Sequence, residues 1–239
     1  TLCVDPLGTG ESARPADVDI GLDEQADALT HAWARFDDLV GTAFRPIAIG
    51  HSMGGYQALR QQARHRSHAA LAILGTTNHA VAPLALPPET IAAASTPAGR
   101  RSLVEQIVAK MPSAYLDAGR DALLPWFHLD DVPESVRRAD LGTLTVVPRR
   151  VAAQGTVPGI GAEDAASVEV PVLLAYGEVD VSPAPRTEAT MPERATAPLT
   201  SRAEATITTT SSLNPVKAWS AGTIPTSTEA NNASIATTS

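Results

Sequence analysis

The sequence predicts an α/β fold: a doubly wound, mostly parallel sheet interrupted by an inserted helical cap. Three observations carry this. Short apolar runs end on glycine at Pro46 to Ile49 before Gly50, Ala69 to Leu74 before Gly75, and Val170 to Tyr176 before Gly177. A segment of helical period, Leu22 to Val40, precedes the first run, and a breaker-free helix-forming stretch, Gly54 to Gln62, follows it. Between the second and third runs lie about ninety residues, far beyond an ordinary loop, so they must hold structure of their own.

Taken in order, Thr1-Leu2-Cys3-Val4-Asp5 reads as a buried strand entering a turn marked by Gly8 and Gly10. Leu22, Ala26, Leu29, Trp33, Phe36 and Leu39 then share one helical face. Pro46 to Gly50 is a strand that turns directly into the helix after Gly54, and Ala69 to Leu74 is its neighbour. In the long excursion Leu103, Val104, Ile107, Val108 and Met111 form a helical stripe, and prolines 87, 88, 112, 125, 133, 148 and 158 divide the remainder. The expected organisation is residues 1–77 as the first part of the core, 78–167 as the helical cap, 168–190 as the second part of the core, and 191–239 as a tail. That tail holds 11 of the 24 threonines, and Ala, Ser, Thr and Pro make up 31 of its 49 residues, which predicts disorder.

Composition narrows the function. The 239 residues are 44% hydrophobic, enough for one α/β domain with a core. With 18 Lys and Arg against 26 Asp and Glu, the formal charge of −8 gives no field to hold a polyphosphate, so nucleic acid is not an expected partner. Cys3 is the single cysteine, which excludes an internal disulfide and a zinc site built on several thiolates. The apolar runs are too short to cross a bilayer, so a soluble, cytoplasmic protein without a membrane partner is expected. Asn232-Ala233-Ser234 is a glycosylation sequon of the kind that a Ser/Thr-rich tail makes by chance.

The chemistry-bearing motif is Gly50-His51-Ser52-Met53-Gly54, a G-x-S-x-G between an apolar strand and a helix. A strand turning straight into a helix strains the central residue, leaves no room for side chains two positions to either side, and lifts the serine off the strand end. The helix N-terminus behind it offers N–H groups to a developing negative charge.

Three motifs in this order resemble the α/β-hydrolase superfamily, in its serine-nucleophile esterase, lipase and peroxidase-like branch. Asp5-Pro6-Leu7-Gly8-Thr9-Gly10-Glu11-Ser12 is similar to the D-x-x-G-x-G-x-S loop after that family's fourth strand. Gly50-His51-Ser52-Met53-Gly54-Gly55 is similar to its nucleophile elbow, and Tyr176-Gly177-Glu178-Val179-Asp180 resembles the acid-bearing end of its seventh strand. The resemblance implies Ser52 as nucleophile, the Met53 N–H as oxyanion donor and Asp180 as the acid that orients a histidine, with Asp164 and Asp140 as alternatives for the acid. A serine at the elbow points away from dehalogenase and epoxide hydrolase chemistry, whose relatives attack through a carboxylate, and toward a small ester, thioester or similar acyl substrate. No organic cofactor or metal is implied, because the acyl group passes to serine and then to water.

The same resemblance requires a histidine after the acid, and here all six histidines, His31, His51, His65, His68, His79 and His128, precede Asp180. His79, just past a strand end, and His128, in the apolar segment Trp126-Phe127-His128-Leu129, are the substitute bases to consider. Alternation turns His51 away from the serine, and His31, His65 and His68 are expected on polar helical surface. The strands before the family's fourth and its last strand are also missing. A fragment truncated ahead of strand four and shifted out of frame near Thr190 is therefore expected, and it would bind acyl compounds without turning them over.

Overall fold

The computed structural model describes residues 1–41, 44–81, 84–117, 128–177, 180 and 182. The expected disorder of 191–239 and the sequon lie outside the described residues, as do Trp126, Phe127, Glu178 and Val179.

Helix α1, Leu22–Val40, begins where a helix should. The Glu24 carboxylate accepts from the Gly21 N–H at 2.8 Å, Asp23 and Glu24 place negative charge in the first turn, and Gly41 ends the helix in the left-handed conformation. Strand β1, Ile47–His51, runs into α2, Met53–His65, and β2, Ala70–Leu74, follows. After a long excursion the chain returns as β5, Val172–Ala175, giving a three-stranded parallel sheet in the order β1-β2-β5. The register pairs Ala48 with Leu71, Gly50 with Ile73, and these in turn with Val172 and Leu174.

That register builds one face of the sheet against α2. Leu71 and Ile73 are buried with Ala58 and Leu59, and Ala48, Val172 and Leu174 pack around them. The alternate residues of β1 point the other way, and among the described residues nothing covers them: Ile47 is 66% exposed and Ile49 73%. The helices described against β1 thus lie on one face.

The excursion between β2 and β5 contains α3 (Pro88–Ala93), α4 (Pro97–Val108), α5 (Glu134–Thr143), α6 (Arg149–Thr156) and α7 (Ala162–Ala165). It also contains a small antiparallel pair that the sequence did not suggest, β3 (Tyr115–Leu116) with β4 (Val147–Pro148). The Thr96 side chain caps α4 by accepting from the Gly99 N–H at 3.1 Å. The predicted stripe is the inner face of α4: Val104 and Val108 are buried with Ile20, Leu22, Tyr56, Val151 and Ile160, and Leu103, Ile107 and Met111 pack beside them. A second core thereby joins α4 and α6 to the first turn of α1 and to α2.

One expected element is absent. Thr1–Val4 forms no strand, and Leu2 and Val4 are exposed. An apolar run is extended into a strand only when a neighbour accepts its ladder, and here no described strand lies alongside it. The turn behind it does form. The Asp5 carboxylate accepts from the Glu11 N–H at 2.8 Å, Ser12 Oγ donates to the Asp5 carbonyl at 2.6 Å, and Gly8 and Gly10 both take positive φ.

Candidate active site

Ser52 stands between β1 and α2 with φ 52° and ψ −118°, a conformation that an L-residue adopts only under constraint. Two features of the surrounding sequence allow it. A Cβ on Gly50 would fall 2.3 Å from the Gly54 carbonyl oxygen, so only glycine lets the strand end and the first helical turn approach this closely. The Ser52 backbone is also held on both sides: its N–H donates to the Leu74 carbonyl at 2.8 Å, and its own carbonyl accepts from the Gly55 N–H at 2.9 Å.

Steric need is not symmetric about the serine, however. A Cβ on Gly54 would meet nothing described within 4 Å, whereas one on Gly55 would sit 2.0 Å from Thr76 Oγ1. The expectation that both glycines two residues from the serine are crowded is corrected in this respect, because the pressure on the helix side falls one position later, where α2 crosses the end of β2.

The Ser52 side chain does not cap α2. Its hydroxyl is therefore not spent on the helix's own N–H groups, and the first N–H groups of α2, that of Met53 included, have no carbonyl one turn back within the helix. The Met53 side chain reaches across to α6, where a Cβ on Gly155 would lie 2.1 Å from its methyl carbon. The elbow is thereby tied to the helix that closes the second core.

Asp180 lies at the same edge of the sheet. Its carboxylate accepts from the Gly177 N–H and the Ser182 N–H, each at 3.2 Å, and a Cβ on Gly75 would be 3.5 Å from Asp180 Oδ2 and 3.4 Å from His51 Nε2. Gly75 follows β2, so the ends of β1, β2 and β5 bring Ser52, His51 and Asp180 into one neighbourhood. Parallel strands cause this: they all end on the same side, the side at which open α/β sheets bind their ligands.

The other histidines and acids are placed elsewhere. His79 is exposed, with its backbone N–H donating to Thr77 Oγ1 at 3.0 Å. His128 is almost buried, its Nε2 3.1 Å from Asp140 Oδ2 but out of line for a hydrogen bond, so Asp140 is the neighbour of His128. Asp164 is buried and held by Arg60 Nε at 2.7 Å, with burial pushing its carboxyl above the usual range against the pull of Arg60. Arg60 stands eight residues along α2 from Ser52, about 12 Å by helical rise, so the Asp164 carboxylate is engaged by a side chain rooted about two turns from the elbow. His31 is exposed and His65 meets Asp27 at 2.6 Å, as polar surface should. His68 is a correction: it is 4% exposed, because the chain leaving α2 folds back under the start of β2.

A cleft of about 530 Å³ lies away from the elbow, lined by Asp19, Glu24, Arg60, Arg100, Arg150 and Asp164 among others, and ion pairs among these residues occupy its walls. Among the described residues no group of three or more metal-ligating side chains converges, and no described helix is long and apolar enough to cross a membrane.

Residues 1–210 match the sequence profile of the Alpha/beta hydrolase family. The chain belongs to the α/β hydrolase family. The parallel sheet and the helices packed against it fit that fold. No curated protein matches it. Among solved structures it is similar to a monoacylglycerol lipase of Paleococcus ferrophilus, at 18% identity and TM-score 0.47, over 73% of this chain and 61% of the other. It is also similar to a bromoperoxidase of Bacillus anthracis, at 18% identity and TM-score 0.45 over 73% and 62%. An enol-lactonase of Burkholderia xenovorans LB400 is similar at 18% identity and TM-score 0.44, over 78% and 66%. The α/β hydrolase chain thus spans less than two thirds of the length of each of these proteins.

Thr76 is the residue of the candidate site that the sequence reading did not single out. The Gly54-Gly55 doublet was the available signal, since the motif itself asks for only one glycine after the serine.

Proposed function

We propose that Ser52 is the nucleophile of a serine hydrolase that acts on a small ester, thioester or similar acyl compound, with the Met53 N–H as oxyanion donor and Asp180 as the acid. The observation that carries this reading is the Ser52 backbone, strained into positive φ at the joint of β1 and α2, with a hydroxyl that caps nothing. In the reaction so proposed, Ser52 Oγ bonds to the acyl carbon as its proton passes to solvent, the oxyanion develops against the α2 N-terminus, and the C–O or C–S bond breaks to release an alcohol or thiol that takes a proton from solvent. Water then releases the acid from the serine ester.

A second reading is favoured by one fact of the sequence: none of the six histidines follows Asp180. On that reading these residues bind acyl compounds and present the serine but lack the base that takes its proton, which costs several powers of ten in rate.

Two measurements test the pair. An aryl fluorophosphonate at alkaline pH, followed by peptide mass spectrometry, should modify Ser52 and no other serine; modification elsewhere, or none, overturns the nucleophile. Hydrolysis of p-nitrophenyl acetate separates the two readings: the first expects a rate that Ser52→Ala abolishes, and the second a rate that matches Ser52→Ala. A rate that depends on Ser52 would instead restore full catalysis to this chain, and alanine substitutions at His79 and His128 would then show which imidazole serves as base.

A further inference from the structure

We infer that the Thr76 hydroxyl is a positioning residue for Ser52: a clamp that holds the serine peptide in its strained conformation from the end of the neighbouring strand. The inference rests on Ser52 as the nucleophile for its catalytic meaning, but the clamp itself is a statement about the backbone. Thr76 Oγ1 donates to the Ser52 carbonyl at 2.8 Å; the Leu74 carbonyl, the competing acceptor, is at 3.3 Å, so the proton goes mainly to Ser52. Thr76 is 3% exposed, so water does not compete for that bond. With the Ser52 N–H on the Leu74 carbonyl at 2.8 Å, the Ser52 peptide is gripped on its nitrogen side by residue 74 and on its oxygen side by residue 76.

The clamp is itself anchored. Gly75 takes φ +55° and donates its N–H to the Ala175 carbonyl at 2.8 Å, and the Thr76 carbonyl accepts from Tyr176 Oη at 2.7 Å. Tyr176 directly follows β5 and precedes the turn that carries Asp180. The hydroxyl therefore links the serine at the end of β1, through the end of β2, to the segment that presents the proposed acid. It also explains the second glycine of the doublet: Oγ1 occupies the space in which a side chain at position 55 would begin, 2.0 Å away.

The test compares Thr76→Ser, Thr76→Val and Thr76→Ala in the full chain. Ser keeps the hydroxyl, Val keeps the shape without it, and Ala provides a second hydroxyl-free variant should Val not fold. Fluorophosphonate labelling of Ser52 is resolved into reagent affinity and maximal rate, and a crystal structure of each variant gives the Ser52 φ. Thr76→Ser should label within about twofold of the parent. Thr76→Val and Thr76→Ala should lose about tenfold in maximal rate with reagent affinity unchanged, the equivalent of about 1.4 kcal/mol, with Ser52 leaving positive φ. A general loss of packing would not be rescued by Thr76→Ser and would not separate rate from affinity. Equal labelling in all variants, or a Thr76→Ser as slow as Thr76→Val, overturns the inference. If the parent itself does not label at Ser52, the nucleophile reading fails, and the clamp is still decided by whether Ser52 keeps positive φ in the hydroxyl-free variants; if it does, the clamp fails too.

Discussion

Acid should destabilise this protein through one buried imidazole, starting above the range in which ordinary carboxylates titrate. His68 sits in the connection from α2 to β2, its backbone N–H donating to Gln62 Oε1 at 2.9 Å and its backbone carbonyl accepting from the Arg45 guanidinium. Burial, and secondarily the Arg45 charge, push its pKa down from 6.5 to about 4. The folded protein therefore prefers the neutral ring, and the unfolded chain takes up the proton first as pH falls. Stability from this group is complete above pH 6.5, is lost between there and about pH 4, and changes no further below. In full this is worth about 3 kcal/mol, most of which is gone by about pH 4.5. Asp164, raised by burial, works in the opposite direction, since its folded form takes a proton earlier than its unfolded one. Asp27 and Glu105, lowered by hydrogen bonds from Arg64 and Arg150, lose their contribution only as pH falls through their depressed values. These groups are common to the parent and His68→Gln, so they cancel when the two are compared. Urea unfolding followed by tryptophan fluorescence, at about pH 7.5 and about pH 4.5, should show the parent losing about 2 kcal/mol more than His68→Gln between the two. A difference below about 0.5 kcal/mol would refute a buried neutral His68.

Two further predictions concern the elbow and its surroundings. Gly50→Ala should destabilise by about 3 kcal/mol or prevent folding, because the new Cβ meets backbone that cannot step aside, whereas Gly54→Ala should be neutral or gain up to about 1 kcal/mol of helix propensity; urea midpoints separate the two, and equal losses would contradict the asymmetry. Asp164→Ala should cost about 3 kcal/mol by leaving the half-buried Arg60 guanidinium short of a partner, while Ser52 labelling stays at the parent rate; a loss of labelling without unfolding would bring Asp164 back to the site.

The sequence by itself determined those parts whose physics is local. Helix α1 runs over the residues that its apolar period marks, because a helix closes its hydrogen bonds within itself and needs only one face to bury. The elbow was legible for a similar reason: a glycine two residues before a serine, between a strand pattern and a helix pattern, admits few backbone solutions. The order of three motifs was enough to identify the family that the profile match then established. What depends on a partner distant in the chain was decided only by the tertiary structure. Thr1–Val4 has the composition of a strand and forms none, since a strand's hydrogen bonds belong half to its neighbour. His68 has the sequence surroundings of polar surface and is buried, because the return of the chain into β2 covers it. Asp164 and Asp140 were eligible acids by position, and the fold gave one to Arg60 and set the other beside His128. Thr76 carries no motif; its hydroxyl meets the Ser52 carbonyl because parallel pairing in register brings the ends of β1 and β2 together, a juxtaposition of residues 24 apart in sequence that neither local pattern encodes.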